Sequence, residues 1–205
     1  MKKLLVFLYC CGAMNSIACA ADAPVLKNFL VSQSVSGVFS QQTVDKQGKA
    51  TEEPSQGDFK FQKPGKFNWV YQTPYEQVMV CDGKELFVWD KDLNQVTVRN
   101  AKGAIPQSPA SILFGQDSLD RDWDITQLPG KDGLTLFKLV PKKKDASVKE
   151  VIFGFKGENP ELLQVNGLMG EKTTLQFKDV KTNERIAPSV FSFVPPKGAD
   201  VLKVK

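Results

Sequence analysis

The stretch Gly57–Trp69, GDFKFQKPGKFNW, places Phe59, Phe61, Phe67 and Trp69 at every second position, with polar residues between them. A period of two is the mark of a β-strand with one buried and one wetted face. The pattern runs on through Tyr71 and starts earlier, in Val38-Phe39 to Val44. Downstream, Asp82-Gly83 separates Val78-Met79-Val80 from Leu86-Phe87-Val88-Trp89, which is a two-residue hairpin signal. Further strands are expected at Gln95–Arg99, Trp123–Leu128, Leu134–Val140, Val148–Phe155, Leu162–Val165, Thr173–Phe177 and Phe191–Val194. Asp132-Gly133 and Asn166-Gly167 supply turn signals at hairpin spacing.

Helical period is confined to short pieces. Over Pro24 to Gln33, Val25, Leu26, Phe29 and Leu30 share one face, and Pro24 suits a first turn. Ser108 to Phe114 offers an N-cap, a proline at the next position and an apolar end. A further helical turn is expected near Ile186 to Val190. Strands in meander order with two or three small helices imply a strongly curved antiparallel sheet or unclosed barrel, mainly β within the α+β class. No linker or shift in composition divides the chain, so a single domain is expected.

The first twenty residues read as an export signal. Lys2 and Lys3 precede an apolar run from Leu4 to Ala13, and Ala18-Cys19-Ala20 fits signal-peptidase cleavage before Ala21. Ile17-Ala18-Cys19 partly fits the alternative, a lipid-bearing Cys19, although Ser16 stands where a leucine-like residue is wanted. Removal of residues 1–20 lowers the charge from +4 to +2 and leaves Cys81 as the single cysteine of a 185-residue chain. Cys81 then has no partner for an internal disulfide and reads as a buried strand thiol.

Composition narrows the function. The 205 residues contain no histidine, which excludes histidine-assisted serine or cysteine catalysis and histidine-ligated zinc. The charge is small and the lysines are scattered, so no nucleic-acid footprint is indicated. Asp120, Asp122 and Asp124 alternate like the start of a calcium loop, but Ile125 and Lys131 stand where glycine and glutamate are required. That trio reads as a solvated strand edge. Lys142-Lys143-Lys144 reads as a loop, with contact to anionic lipid as the alternative. Acid pairs such as Glu52-Glu53 define no cleft, so no catalytic residue, metal or cofactor is expected. With 14 phenylalanines against 3 tyrosines and 3 tryptophans, the apolar surplus fits either an ordinary core or a cavity for a greasy ligand.

The stretch Gly57–Trp69 also resembles the periplasmic lipoprotein carrier family LolA. The likeness continues through Pro74, Val80-Cys81-Asp82-Gly83-Lys84, Phe87-Val88-Trp89-Asp90 and Gln95-Val96. It resumes in Ser108-Pro109-Ala110-Ser111-Ile112-Leu113 and in Phe191-Ser192-Phe193-Val194-Pro195-Pro196-Lys197-Gly198. The resemblance implies an unclosed antiparallel β-barrel with a lid of short helices over an apolar cavity. It implies a periplasmic carrier that takes acylated lipoproteins from an inner-membrane ABC exporter, LolCDE, and passes them to an outer-membrane receptor, LolB. On that likeness Leu30, Ile112 and Leu113 face the cavity from the lid, with Phe67 and Trp69 opposite or at its mouth. Lys63, directly before Pro64, stands at the lid-fastening position where the family commonly has arginine; lysine's single compact charge holds less firmly than arginine's planar fork. A soluble shuttle is expected to be monomeric. A lipid-anchored LolB-like receptor of the same fold, an exported hydrolase and a structural envelope protein are the other classes considered.

Overall fold

Alternation in the sequence becomes alternation in space. The computed structural model describes residues 24–101, 119–143, 146 and 148–204. Helix α1 spans Pro24–Val31 and leads into strands β1 (Ser34–Val44), β2 (Ser55–Gln62), β3 (Lys66–Thr73), β4 (Gln77–Asp82), β5 (Glu85–Asp90) and β6 (Gln95–Asn100). A short helix α2 (Leu119–Asp122) precedes β7 (Trp123–Lys131), β8 (Leu134–Pro141), β9 (Val148–Lys156), β10 (Asn159–Gly167) and β11 (Lys172–Thr182). A 3₁₀ turn at Pro188–Phe191 and strand β12 (Asp200–Val204) follow. Among the described residues no helix is long and apolar enough to cross a membrane.

The twelve strands among the described residues form one sheet, in the order β12-β6-β5-β4-β3-β2-β1-β11-β10-β9-β8-β7. Two meanders, β1–β6 and β7–β11, are thus joined along the antiparallel pair β1–β11. Strand β12 lies parallel to β6 and every other pair is antiparallel, with β7 and β12 at the open edges among the described residues. The barrel is therefore unclosed. Between Val38↔Lys178 and Ser36↔Lys181 the β1–β11 register slips, and Asp179 takes a left-handed φ of 53° in the bulge. Such a bulge sharpens the local twist that lets a sheet curl onto itself.

One face of the sheet holds the main core. Phe39, Phe59, Phe61, Phe67 and Trp69 from the first meander meet Phe137, Phe153, Phe155, Leu163 and Phe177 from the second in a single cluster. Helix α1 lies against this inner face, with Leu26 and Phe29 buried in the cluster. The helix ends at Val31, two residues before the expected limit at Gln33. Gln33 is already engaged, for its carbonyl accepts the Lys63 amide at 2.9 Å and its own amide donates to Asn183 Oδ1 at 2.8 Å.

Three expectations need correction. Phe191–Val194 is no strand. The outer face of β4–β6 is itself apolar, with Val80, Val96 and Val98 buried, so the C-terminal segment docks there by side chains. Phe193 sits on Phe87 and Trp89, with ring centroids 5.6 and 6.0 Å apart, and Pro195 and Pro196 have no N–H to give a ladder. The terminal strand is β12, which the hydrophobic pattern alone does not mark. Second, Asn166 and Gly167 complete β10 and the turn comes after them. There Gly170 takes a φ of +93° and the Gly167 amide donates to the Glu171 carbonyl at 2.8 Å. Third, Asp122 is no solvated strand-edge acid. It ends α2, is only 9% exposed, and pairs with Arg121 at 2.8 Å.

Candidate functional site

The inner face is built in rows across the strands. Phe61, Phe67, Cys81 and Leu86 stand opposite one another in sequence across β2–β5. The next row is Phe59, Trp69, Met79 and Val88, and the third is Gly57, Tyr71 and Gln77. A strand's two-residue period makes each row a continuation of the same surface. Phe39 on β1 stacks on Trp69, with centroids 4.1 Å apart and planes at 29°. The stack requires glycine at position 57. A Cβ there would stand 1.8 Å from the Val70 carbonyl oxygen and 3.0 Å from the Phe39 ring.

Helix α1 covers the first-row end of this surface. Phe29 meets Phe153 and Phe155 edge-on, at 5.5 and 5.8 Å between centroids, a favoured aromatic geometry. Leu30 is half-buried at the margin of the core. The Leu30 carbonyl, in the last turn of α1, accepts a hydrogen bond from Lys63 Nζ at 2.5 Å. A cation is well placed there, because unpaired carbonyls make a helix C-terminus negative. Partial desolvation of this exposed side chain lowers the Lys63 ammonium from its ordinary pKa. The Lys63–Pro64 peptide is cis, and the turn it forms faces the β4–β5 hairpin, where Gly83 approaches the Pro64 carbonyl.

Character changes toward the other end of the strands. On β1 the inner positions run from Phe39 to Gln41 and Thr43, and on β3 from Trp69 to Tyr71. The Tyr71 hydroxyl donates to Gln41 Oε1 at 3.3 Å, and the Thr43 and Thr173 hydroxyls lie 3.0 Å apart. Burial pushes the Tyr71 phenol above its ordinary pKa, opposed by the Trp69 indole N–H and by Gln41. The Trp69 N–H approaches Tyr71 yet has no acceptor in hydrogen-bond geometry.

Of the residues singled out from the sequence, the structure groups Phe67 and Trp69 with Phe39, Phe59 and Phe61 on one wall. Lys63 and Leu30 meet directly at the edge of that wall. Ile112 and Leu113, with the whole stretch Ser108–Phe114, lie outside the described residues. Gln41 escapes a sequence reading because it sits among polar neighbours (Ser40, Gln42, Thr43), and only the pairing of β1 with β2 and β11 assigns it to the inner face. Tyr71 is legible as one more alternating aromatic, but its polar contact is not. Cys81 is 1% exposed, and its thiol is pushed up by burial, as suits a packed core residue.

Comparison with known proteins supplies an independent line. The family described as outer membrane lipoprotein carrier protein LolA matches residues 31–194. A protein of Cupriavidus pinatubonensis named outer-membrane lipoprotein carrier protein is 40% identical over 211 aligned positions, covering 99% of this chain and all of its own. One of the same name from Bordetella avium is 36% identical, covering 96% of this chain and 99% of its own. Among solved structures, an uncharacterized conserved protein of Thermus thermophilus has a TM-score of 0.56 at 12% identity, over 88% of this chain and 98% of the other. That last likeness concerns the fold alone.

Proposed function

The chain belongs to the outer-membrane lipoprotein carrier family LolA, and from that premise we propose how its inner face does the carrying. The protein is a lipoprotein carrier. It shelters the acyl chains of its cargo against the aromatic wall of Phe67 and Trp69, with Leu30 on α1 and, as the family resemblance implies, Ile112 and Leu113 contributing further apolar contacts. It collects cargo from the inner-membrane exporter LolCDE, crosses the periplasm as a monomer and delivers to LolB. Residues 1–20 direct export and are removed, and residues 21–205 act as one carrier domain. No bond is made or broken in the transfer. The observation that carries this reading is the contact of Lys63 with the last turn of α1, directly over an inner face built of stacked aromatics.

Energetics favour a cover that opens at a cost. Burying an acyl chain gains roughly 0.8 kcal/mol per methylene, so three chains of about fifteen carbons approach 35 kcal/mol if fully sheltered. Non-covalent affinity saturates near ~20 kcal/mol, and a carrier holding that much would not release. Parting α1 from the core subtracts from the net affinity, because ligand affinity falls with the fraction of protein in the competent state. Transfer then runs downhill to a better-lined receptor without an energy source. The test is release of a radiolabelled lipoprotein from spheroplasts by the purified protein, followed by its incorporation into LolB-bearing outer membranes. Release is expected from the native protein. Failure to release lipoprotein while the chain is folded would defeat the reading.

A further inference from the structure

The inner face is not uniformly greasy, and its polar end has a chemistry of its own. Among the described residues three buried side-chain polar atoms have no partner in hydrogen-bond geometry: Gln62 Oε1, Trp69 Nε1, which lies near Tyr71 without meeting that geometry, and Trp89 Nε1. Strand alternation separates them. Gln62 is out of phase with the inward Phe59 and Phe61, and Trp89 packs with Phe193 on the outer face. Only the Trp69 donor belongs to the inner surface, in a residue 2% exposed. An unpaired buried donor carries a desolvation penalty, and native proteins retain one where something else satisfies it.

We propose that the Trp69 indole N–H, together with the Tyr71 hydroxyl and the Gln41 amide, forms a hydrogen-bonding anchor for the ester carbonyls at the glyceryl end of acylated cargo. The inference rests on the carrier reading and adds a direction to it. Chain heads lie at the Gln41–Tyr71 end and chain tails run toward the Phe61–Phe67 row beneath α1. The chemistry matches by type. A diacylglyceryl group is hydrocarbon except for ester oxygens, which only accept hydrogen bonds. An indole N–H donates only, and the Tyr71 phenol, protonated at neutral pH, is also available as a donor. The Tyr71 proton is presently spent on Gln41 Oε1 at a long 3.3 Å, a bond that an ester carbonyl could replace. The aromatic stack of Phe39 on Trp69 fixes the indole plane, and with it the direction of the N–H.

The experiment compares two synthetic triacylated cysteinyl lipopeptides of equal chain length, one with ester-linked glyceryl chains and one with ether-linked chains. Binding to the full chain is measured by displacement of a fluorescent acyl probe. The native protein is expected to prefer the ester form about tenfold, as one or two good hydrogen bonds allow. Trp69→Phe keeps an aromatic ring in the stack and removes the donor. It should cut the ester-over-ether preference below about twofold, and this ratio within the variant is the readout, since losing wall contact would weaken both lipopeptides alike. Should Trp69→Phe not fold, Tyr71→Phe carries the test, with the preference reduced to about threefold. A native protein with no ester preference, or variants that retain the native preference, would overturn the anchor and leave the carrier reading standing. Native protein that binds neither lipopeptide would sink both.

Discussion

Replacing Lys63 with leucine isolates the fastening of α1 from everything else that holds it. The helix is kept down chiefly by Leu26 and Phe29, both buried in the core. Full burial of two such side chains is worth about 5 kcal/mol together. A hydrogen bond from a charged donor contributes roughly 1.5–3 kcal/mol in a buried setting, but the Lys63 side chain is largely exposed. Solvent screening reduces its share to about 1 kcal/mol. Lys63→Leu should therefore raise the undocked population of α1 about fivefold without making it dominant. Hydrogen exchange at the amides of Asn28 to Val31, which close the helical bonds, is expected to quicken by the same factor. Cargo affinity should rise about fivefold and release slow to match, since opening is part of the cost of binding. Cargo would be trapped. Lys63→Arg should keep native exchange or slow it, since its planar fork can reach more than one carbonyl. Unchanged exchange in Lys63→Leu, or the same acceleration in Lys63→Arg, would refute the fastening role.

Three further outcomes follow from the packing. Phe29→Ala removes the ring set edge-on against Phe153 and Phe155 and should weaken α1 docking by about 3 kcal/mol, so its exchange should far outpace that of Lys63→Leu. Comparable rates in the two variants would show that packing does not dominate. Gly57→Ala would push a methyl against the Val70 carbonyl oxygen and is expected to cost about 3 kcal/mol or more in urea unfolding; a native midpoint would contradict the β2–β3 geometry. The Asp82 carboxylate accepts the Glu85 and Lys84 amides at 2.8 and 2.7 Å, which holds it below its ordinary pKa. Its contribution is complete above the unfolded carboxylate pKa and lost as pH falls through the lower folded value. Asp82→Ala should thus cost about 1 kcal/mol at neutral pH after solvent screening, with the gap to native closing in strong acid. A gap that does not depend on pH would rule out the carboxylate as its source.

How far the sequence can be read varies along the chain with the range of the forces involved. Where a strand is half-buried and its partner is next in sequence, alternation and turn chemistry suffice, and β2–β5 and the Asp82-Gly83 hairpin are legible. Strand β1 begins at Ser34, ahead of the apolar pattern that becomes clear at Val38, because pairing with β2 and β11 extends it through serines and glycine. Phe191 and Phe193 look like a strand in one dimension. They become a strap because a second apolar surface, on the outside of β4–β6, lies within reach. Asp122 looks solvated until α2 turns it inward beside Arg121.

The sequence by itself determined the class of fold and the kind of surface at its centre. Period-two aromatics can be satisfied only by burying one face of a sheet, and that requirement is local and additive. Tertiary structure alone decided which distant groups meet. It joined β1 to β11, setting Thr43 opposite Thr173, and so turned two meanders into one curled sheet. It brought Lys63 to Leu30, 33 positions away, and set the Trp69 N–H beside the polar end of an otherwise apolar wall. Those contacts depend on strand register and on the curl of the sheet, which follow from the packing of the whole core at once and leave no trace in any single segment.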